Sequence, residues 1–86
     1  MNITNAHDRF DSTDIYLCSF LVTRGAVLDG VERDASGKVR FLLHAESKGV
    51  LDEWVRAYWS SEPVLLVPSR LLGSLKHLKS LLHSHP

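Results

Sequence analysis

The spacing of apolar positions changes several times along the chain, and each change predicts an element. From Ile15 to Val22 the residues are apolar on nearly every side of a helix, and only Ser19, Thr23 and Arg24 interrupt them. Asp11 or Ser12 can cap the entrance to this helix. With Asp11 as cap, Phe10 and Ile15 take the two positions of a hydrophobic staple. Gly25 is a natural left-handed stop. A helix apolar all round is buried all round, so this one is expected at the centre of the fold or under a partner.

Two extended runs follow, Ala26 to Arg33 and Lys38 to Ala45, around the turn-forming tetrad Asp34-Ala35-Ser36-Gly37. Pairing Arg33 with Lys38 sets Gly30 opposite Phe41, leaving room for its ring, and Leu28 opposite Leu43. Leu28, Val39, Phe41 and Leu43 then share one face of the hairpin. Asp29, Arg33, Lys38, Arg40 and His44 share the other, as in a sheet packed on one side and wet on the other.

A helical period returns over Ser47 to Trp59, where Leu51, Trp54, Val55 and Tyr58 fall on one face and Asp52, Glu53 and Arg56 point away. Val64 to Val67 reads as a third strand or an extended connector. Pro68 or Ser69 opens a last helix with Leu71, Leu75, Leu78 and Leu82 as a narrow stripe and Leu72 and Leu81 on its flanks. The expected fold is a small two-layer α+β domain over residues 10–83. Its order is helix, β-hairpin, helix, short strand or extended connector, helix. Residues 1–9 are expected to form a flexible N-terminal segment and 84–86 a tail.

Composition adds little to this picture. The 86 residues are 44% hydrophobic and 23% charged, with ten acids against ten bases, so no bulk field draws the chain to nucleic acid or membrane. The distribution is uneven: all ten acids precede Pro63, and beyond it stand Arg70, Lys76 and Lys79 with three histidines. A single cysteine, Cys18, allows no internal disulfide and fits a reducing compartment. Met1 to Phe10 has no secretory pattern, and the longest nearly apolar run is too short to span a bilayer. A cytoplasmic protein is expected.

Candidate chemistry is sparse. The glycines are scattered, and no phosphate loop, nucleophile elbow or paired-cysteine motif occurs. Cys18 reads as a buried, inert thiol. His83-x-His85 with His77 could chelate a metal only if the tail folded back, and no metal or cofactor is expected. Asp11 with Asp14, and Asp52 with Glu53, are better explained by capping and by a solvated helix face than by acid–base work. His44 reads as an ordinary residue of the wet hairpin face.

The last helix carries Lys76, Lys79 and His83 on one flank of its stripe and Arg70 and His77 on the other. Such bases can contact phosphates, with Arg70, Lys76 and Lys79 as the contact residues, although no aromatic interleaves with them.

Phe10-x-Ser12-Thr13-Asp14-Ile15-x-Leu17 before a helix ending at Gly25, then Gly30 to Arg33, Val39-x-Phe41 and Leu75 to Leu82, together resemble a family of short bacterial and phage proteins known as a domain of unknown function. The resemblance runs from about Phe10 to His83. Its most specific marks are Thr13-x-Ile15 with Asp14, and Leu78-Lys79-Ser80. It implies a bacterial or phage source and a small stand-alone domain, and brings no activity or site residues.

The expected function is therefore contact rather than catalysis: a non-enzymatic interaction module that pairs with itself as a homodimer, with a weak nucleic-acid binder as the alternative. The apolar surplus of the helices motivates self-association, with Tyr16, Phe20, Leu72 and Leu81 as interface candidates. The two open hairpin edges could also pair across a twofold axis into a four-stranded sheet.

Overall fold

A computed structural model of the chain describes residues 9–60 and 66–84. Strand β1 (Arg9–Ser12) leads into helix α1 (Ile15–Arg24). The hairpin β2 (Val27–Arg33) and β3 (Val39–His44) follows, and then α2 (Lys48–Trp59) and α3 (Pro68–Ser84). The sheet is antiparallel, in the order β1-β3-β2. The α+β class is as expected, with one strand more than the hairpin. Of the run Val64 to Val67, Val64 and Leu65 lie outside the described residues, and Leu66 and Val67 form no strand.

Strand β1 corrects the reading of the entrance to the first helix. Phe10 pairs with Leu43 and Ser12 with Phe41, which turns Phe10 and Ser12 to the core face and Arg9 and Asp11 to the outer one. Asp11 therefore does not cap the helix and Phe10 is no staple; Asp11 forms an ion pair of 2.7 Å with Arg40 across the outer face. The cap is Asp14, whose carboxylate accepts from the N–H groups of Tyr16 and Leu17 at 3.0 and 3.1 Å. The Ser12 hydroxyl supports it by accepting from the Asp14 N–H. Arg9, expected in a flexible segment, begins the strand.

At its other end α1 stops as expected. Gly25 takes φ 127°, its N–H reaches the carbonyls of Leu21 and Val22, and the Ala26 N–H returns to Leu21. This is the left-handed termination that glycine permits. Leu17, Cys18, Ser19, Phe20 and Leu21 are all buried. Five consecutive buried residues cover every side of a helix, and α1 is the central element of the fold, packed on α2, α3 and the sheet. Its one fully buried polar side chain, Ser19, donates to the Ile15 carbonyl at 2.7 Å.

The hairpin register differs from expectation by one residue near the turn. Asp34 and Lys38 close a three-residue loop: the Asp34 N–H donates to Lys38 and the Gly37 N–H to Asp34. Gly37 takes φ 89°. The Asp34 carboxylate also accepts from Ser36 and Lys38, and the Ser36 hydroxyl holds it below the usual carboxylate range. Lys38 is thus a turn residue, and the ladder opens with Arg33 opposite Val39. Val31, not Gly30, then faces Phe41, and Gly30 faces Leu42.

A bulge between Leu28 and Gly30 absorbs the extra residue and restores Leu28 opposite Leu43. Leu28, Val31, Phe41 and Leu43 all keep to the core side. Asp29, displaced by the bulge, meets Nδ1 of His44 at 2.7 Å on the outer face. Arg33, expected on the wet face, shares a register position with Val39, and its guanidinium donates to the Gly37 carbonyl.

Helix α2 is capped by Ser47, which accepts from the Val50 N–H. Leu51 is fully buried, with Trp54, Val55 and Tyr58 packed on the core. In α3 the buried anchor is Leu78, flanked by the partly buried Leu71, Leu81 and Leu82. A hydroxyl pair, Thr23 Oγ1 and Ser74 Oγ at 3.0 Å, ties α1 to α3.

Candidate contact groove

The arrangement leaves an apolar groove between α1, the end of α2 and the first turns of α3. Tyr16, Ser19 and Phe20 line it from α1, Tyr58 from α2, and Leu71, Leu72 and Leu75 from α3, around a volume of about 190 Å³. Tyr16 and Phe20 are four residues apart, as are Leu71 and Leu75, so each pair presents one helix face to the groove. The Phe20 and Tyr58 rings pack at 5.3 Å with a 55° tilt, and Trp59 meets Tyr58 edge-on at 4.9 Å. Tyr16, Leu72 and Trp59 stand out of the surface at 59, 61 and 67% exposure.

Asp14, the cap of α1, stands two residues before Tyr16 of the groove lip. Burial, together with the negative charge of Asp14, pushes the Tyr58 phenol above its ordinary value, so this hydroxyl is a neutral donor at pH 7. Beyond Leu72 and Leu75 the trough continues between Lys76 and Lys79. Leu72, Lys76, Lys79 and His83 are all exposed and recur at the spacing of one helix face.

Of the four expected interface residues, Tyr16, Phe20 and Leu72 come together here: Phe20 is buried in the groove wall and the other two form its lips. Leu81 does not line the groove; it is half-buried against the core. The expected pairing of two open hairpin edges meets an obstacle, because β1 occupies the outer edge of β3 and the bulge interrupts the edge of β2. Tyr58, Leu71 and Leu75 read from sequence as core, since a wall residue has the same helical spacing as a core residue.

Arg70, Lys76 and Lys79 are exposed but do not form one row. Six residues, about 1.7 turns, separate Arg70 from Lys76, which sets Arg70 on the opposite flank of the leucine stripe. His77 and His83 are exposed, and His85 lies outside the described residues. No group of three metal-ligating side chains occurs among the described residues. Asp11 and Asp14 serve an ion pair and a cap. Asp52 and Glu53 are exposed on α2, with Asp52 3.6 Å from Lys48. No helix among the described residues is long and apolar enough to cross a membrane.

Cys18 is free and fully buried. Its Sγ lies 3.9 Å from the Ser12 carbonyl, and burial, reinforced by Asp14, pushes the thiol up from 9.0 to about 12. A thiol that ionises more readily in the unfolded chain stabilises the fold fully below pH 9. That contribution is lost as pH rises through about 12. Urea midpoints should therefore fall above pH 9 more steeply in the native protein than in Cys18→Ala. Equal slopes would show that Cys18 is not the group responsible.

Comparison with protein-family models, with curated proteins and with solved structures finds no match to this chain.

Proposed function

We propose that this chain works by contact, as a non-enzymatic module that pairs with a second copy of itself through the groove. The observation that carries the reading is a projection and a hole side by side on one molecule. Leu72 and Tyr16 stand exposed on the lips of the pocket that they help to line. A twofold interface uses the same patch on both subunits, so it needs a patch that is its own complement. An engineered cavity of about 150 Å³ holds a benzene-sized body, so a volume of about 190 Å³ has room for one leucine or aromatic side chain from the partner.

Charge supports the same pairing. With the twofold axis set across the groove, the Lys76 and Lys79 stretch of one copy would face the Asp14 side of the other. Opposite charges facing across an interface fix its register. The non-enzymatic reading is supported by the dispersal of the acids and by a thiol held protonated. The lone Cys18 fits the reducing cytoplasm.

A dilution series followed by amide NMR tests the pairing. Signals of Tyr16, Phe20, Tyr58 and Leu72 should move with protein concentration, while those of Val27 to Arg33 hold still. Spectra that do not change with concentration, or shifts confined to the β2 edge, would overturn this interface.

A further inference from the structure

We infer that the groove also accepts an acidic amphipathic protein segment, one with leucines or aromatics on one face and carboxylates beside them, and that this segment displaces the second copy. The inference rests on reading the groove as a contact surface. Its own ground is the charge of the trough beyond the pocket. Leu72 and Leu75 belong to both the apolar pocket and the adjoining trough, whose other two walls are Lys76 and Lys79. The surface is thus continuous, apolar for one stretch and cationic for the next.

No acid follows Glu62 anywhere in the chain, so α3 brings no carboxylate of its own to these lysines. Neither Lys76 nor Lys79 is within ion-pair distance of an acid among the described residues. Even a twofold pair that set Asp14 of the partner against this end would place one acid against two lysines and leave positive charge over. A helix with leucines at i, i+3, i+4 and i+7 and glutamates flanking them would fill the pocket and match the lysines together. This is the helix-in-groove mode of recognition.

Nucleic acid fits less well. The two lysines flank an apolar floor rather than a polar one. Arg70 lies on the far flank, and the exposed aromatics Tyr16 and Trp59 sit on other helices than the lysine row and do not interleave with it.

The test uses the full chain and three probes: a synthetic glutamate-flanked leucine helix, the same helix with lysines in place of the glutamates, and a single-stranded DNA oligonucleotide. Each carries a fluorescent label and is titrated by anisotropy. The glutamate helix should bind, more weakly as salt rises. Its affinity should drop about tenfold or more in Lys76→Glu with Lys79→Glu, on the scale of lost charge pairs at an interface. Circular dichroism confirms that the variant, altered only at exposed positions, keeps its fold.

Equal binding of the two helices, an affinity that survives the charge reversal, no binding, or tighter binding of the oligonucleotide would each overturn the inference. Sedimentation with and without the glutamate helix separates this outcome from the fate of the dimer. A dimer that ignores the peptide defeats the inference and leaves self-association standing. A peptide that binds a chain monomeric at every concentration upholds the docking and defeats self-association.

Discussion

Phe41→Ala is expected to remove a large share of the stability of the domain, about a quarter at the least. Phe41 sits on the middle strand, 1% exposed, with Ser12 of β1 on one side and Val31 of β2 on the other. Truncating a buried phenylalanine to alanine costs about 3–5 kcal/mol, because transfer energy is lost and a cavity remains. A domain of 86 residues has roughly 4–13 kcal/mol in total at the usual stability per residue. The substitution therefore removes between a quarter and all of it.

Urea unfolding followed by far-ultraviolet and near-ultraviolet circular dichroism measures the loss. Phe10→Ala provides the contrast. Phe10 faces the same core from a four-residue edge strand and is only half-buried, so its loss should cost less. A Phe41→Ala variant that loses under about 1 kcal/mol would mean that the sheet centre is not packed as described.

Much of this fold was legible because its longer elements have clear periods. Helix α2 and the leucine stripe of α3 follow helical spacing over twelve and seventeen residues, and the hairpin alternates around a turn rich in Asp, Ser and Gly. Strand β1 was not legible for two reasons. Four residues are too few to establish a period of two. In addition, Asp11, Ser12 and Asp14 can each cap a helix, and local sequence does not choose among them. The pairing of Phe10 with Leu43 and Ser12 with Phe41 decides it, and that contact lies some thirty residues away in the chain.

The register slip has a similar origin. Asp34 draws Lys38 into the turn, and only the bulge beside Asp29 returns Leu28 to the core side. For the groove, the side of α1 that lines it was readable from Tyr16 and Phe20. Leu72 and Leu81 looked equivalent as flanks of one stripe. They lie on opposite flanks, and the position of α1 determines which of them borders a pocket.

Leu72→Glu is expected to weaken self-association by about thirtyfold or more and leave the fold intact. The side chain is 61% exposed in the single chain, so its replacement should change the urea midpoint little. In the pair, the same position would enter the partner's apolar pocket among Phe20, Tyr58 and Leu75, where a carboxylate would lose its water. Losing a central interface anchor costs about 2 kcal/mol or more, equivalent to a dissociation constant weaker by about thirtyfold. Leu81→Glu gives the opposite pattern. It lies away from the groove and packs on the core, so it should lower the urea midpoint by more than Leu72→Glu does.

Sedimentation equilibrium of the native chain from low micromolar to millimolar concentration tests self-association through the groove most directly, run beside Leu72→Glu. The expected result is a native mass that rises from one chain to two as concentration increases, while the same rise in Leu72→Glu is displaced to concentrations about thirtyfold or more higher. A native mass fixed at one chain over the whole range would contradict self-association. A dimer that persists undiminished in Leu72→Glu would contradict the groove as its interface.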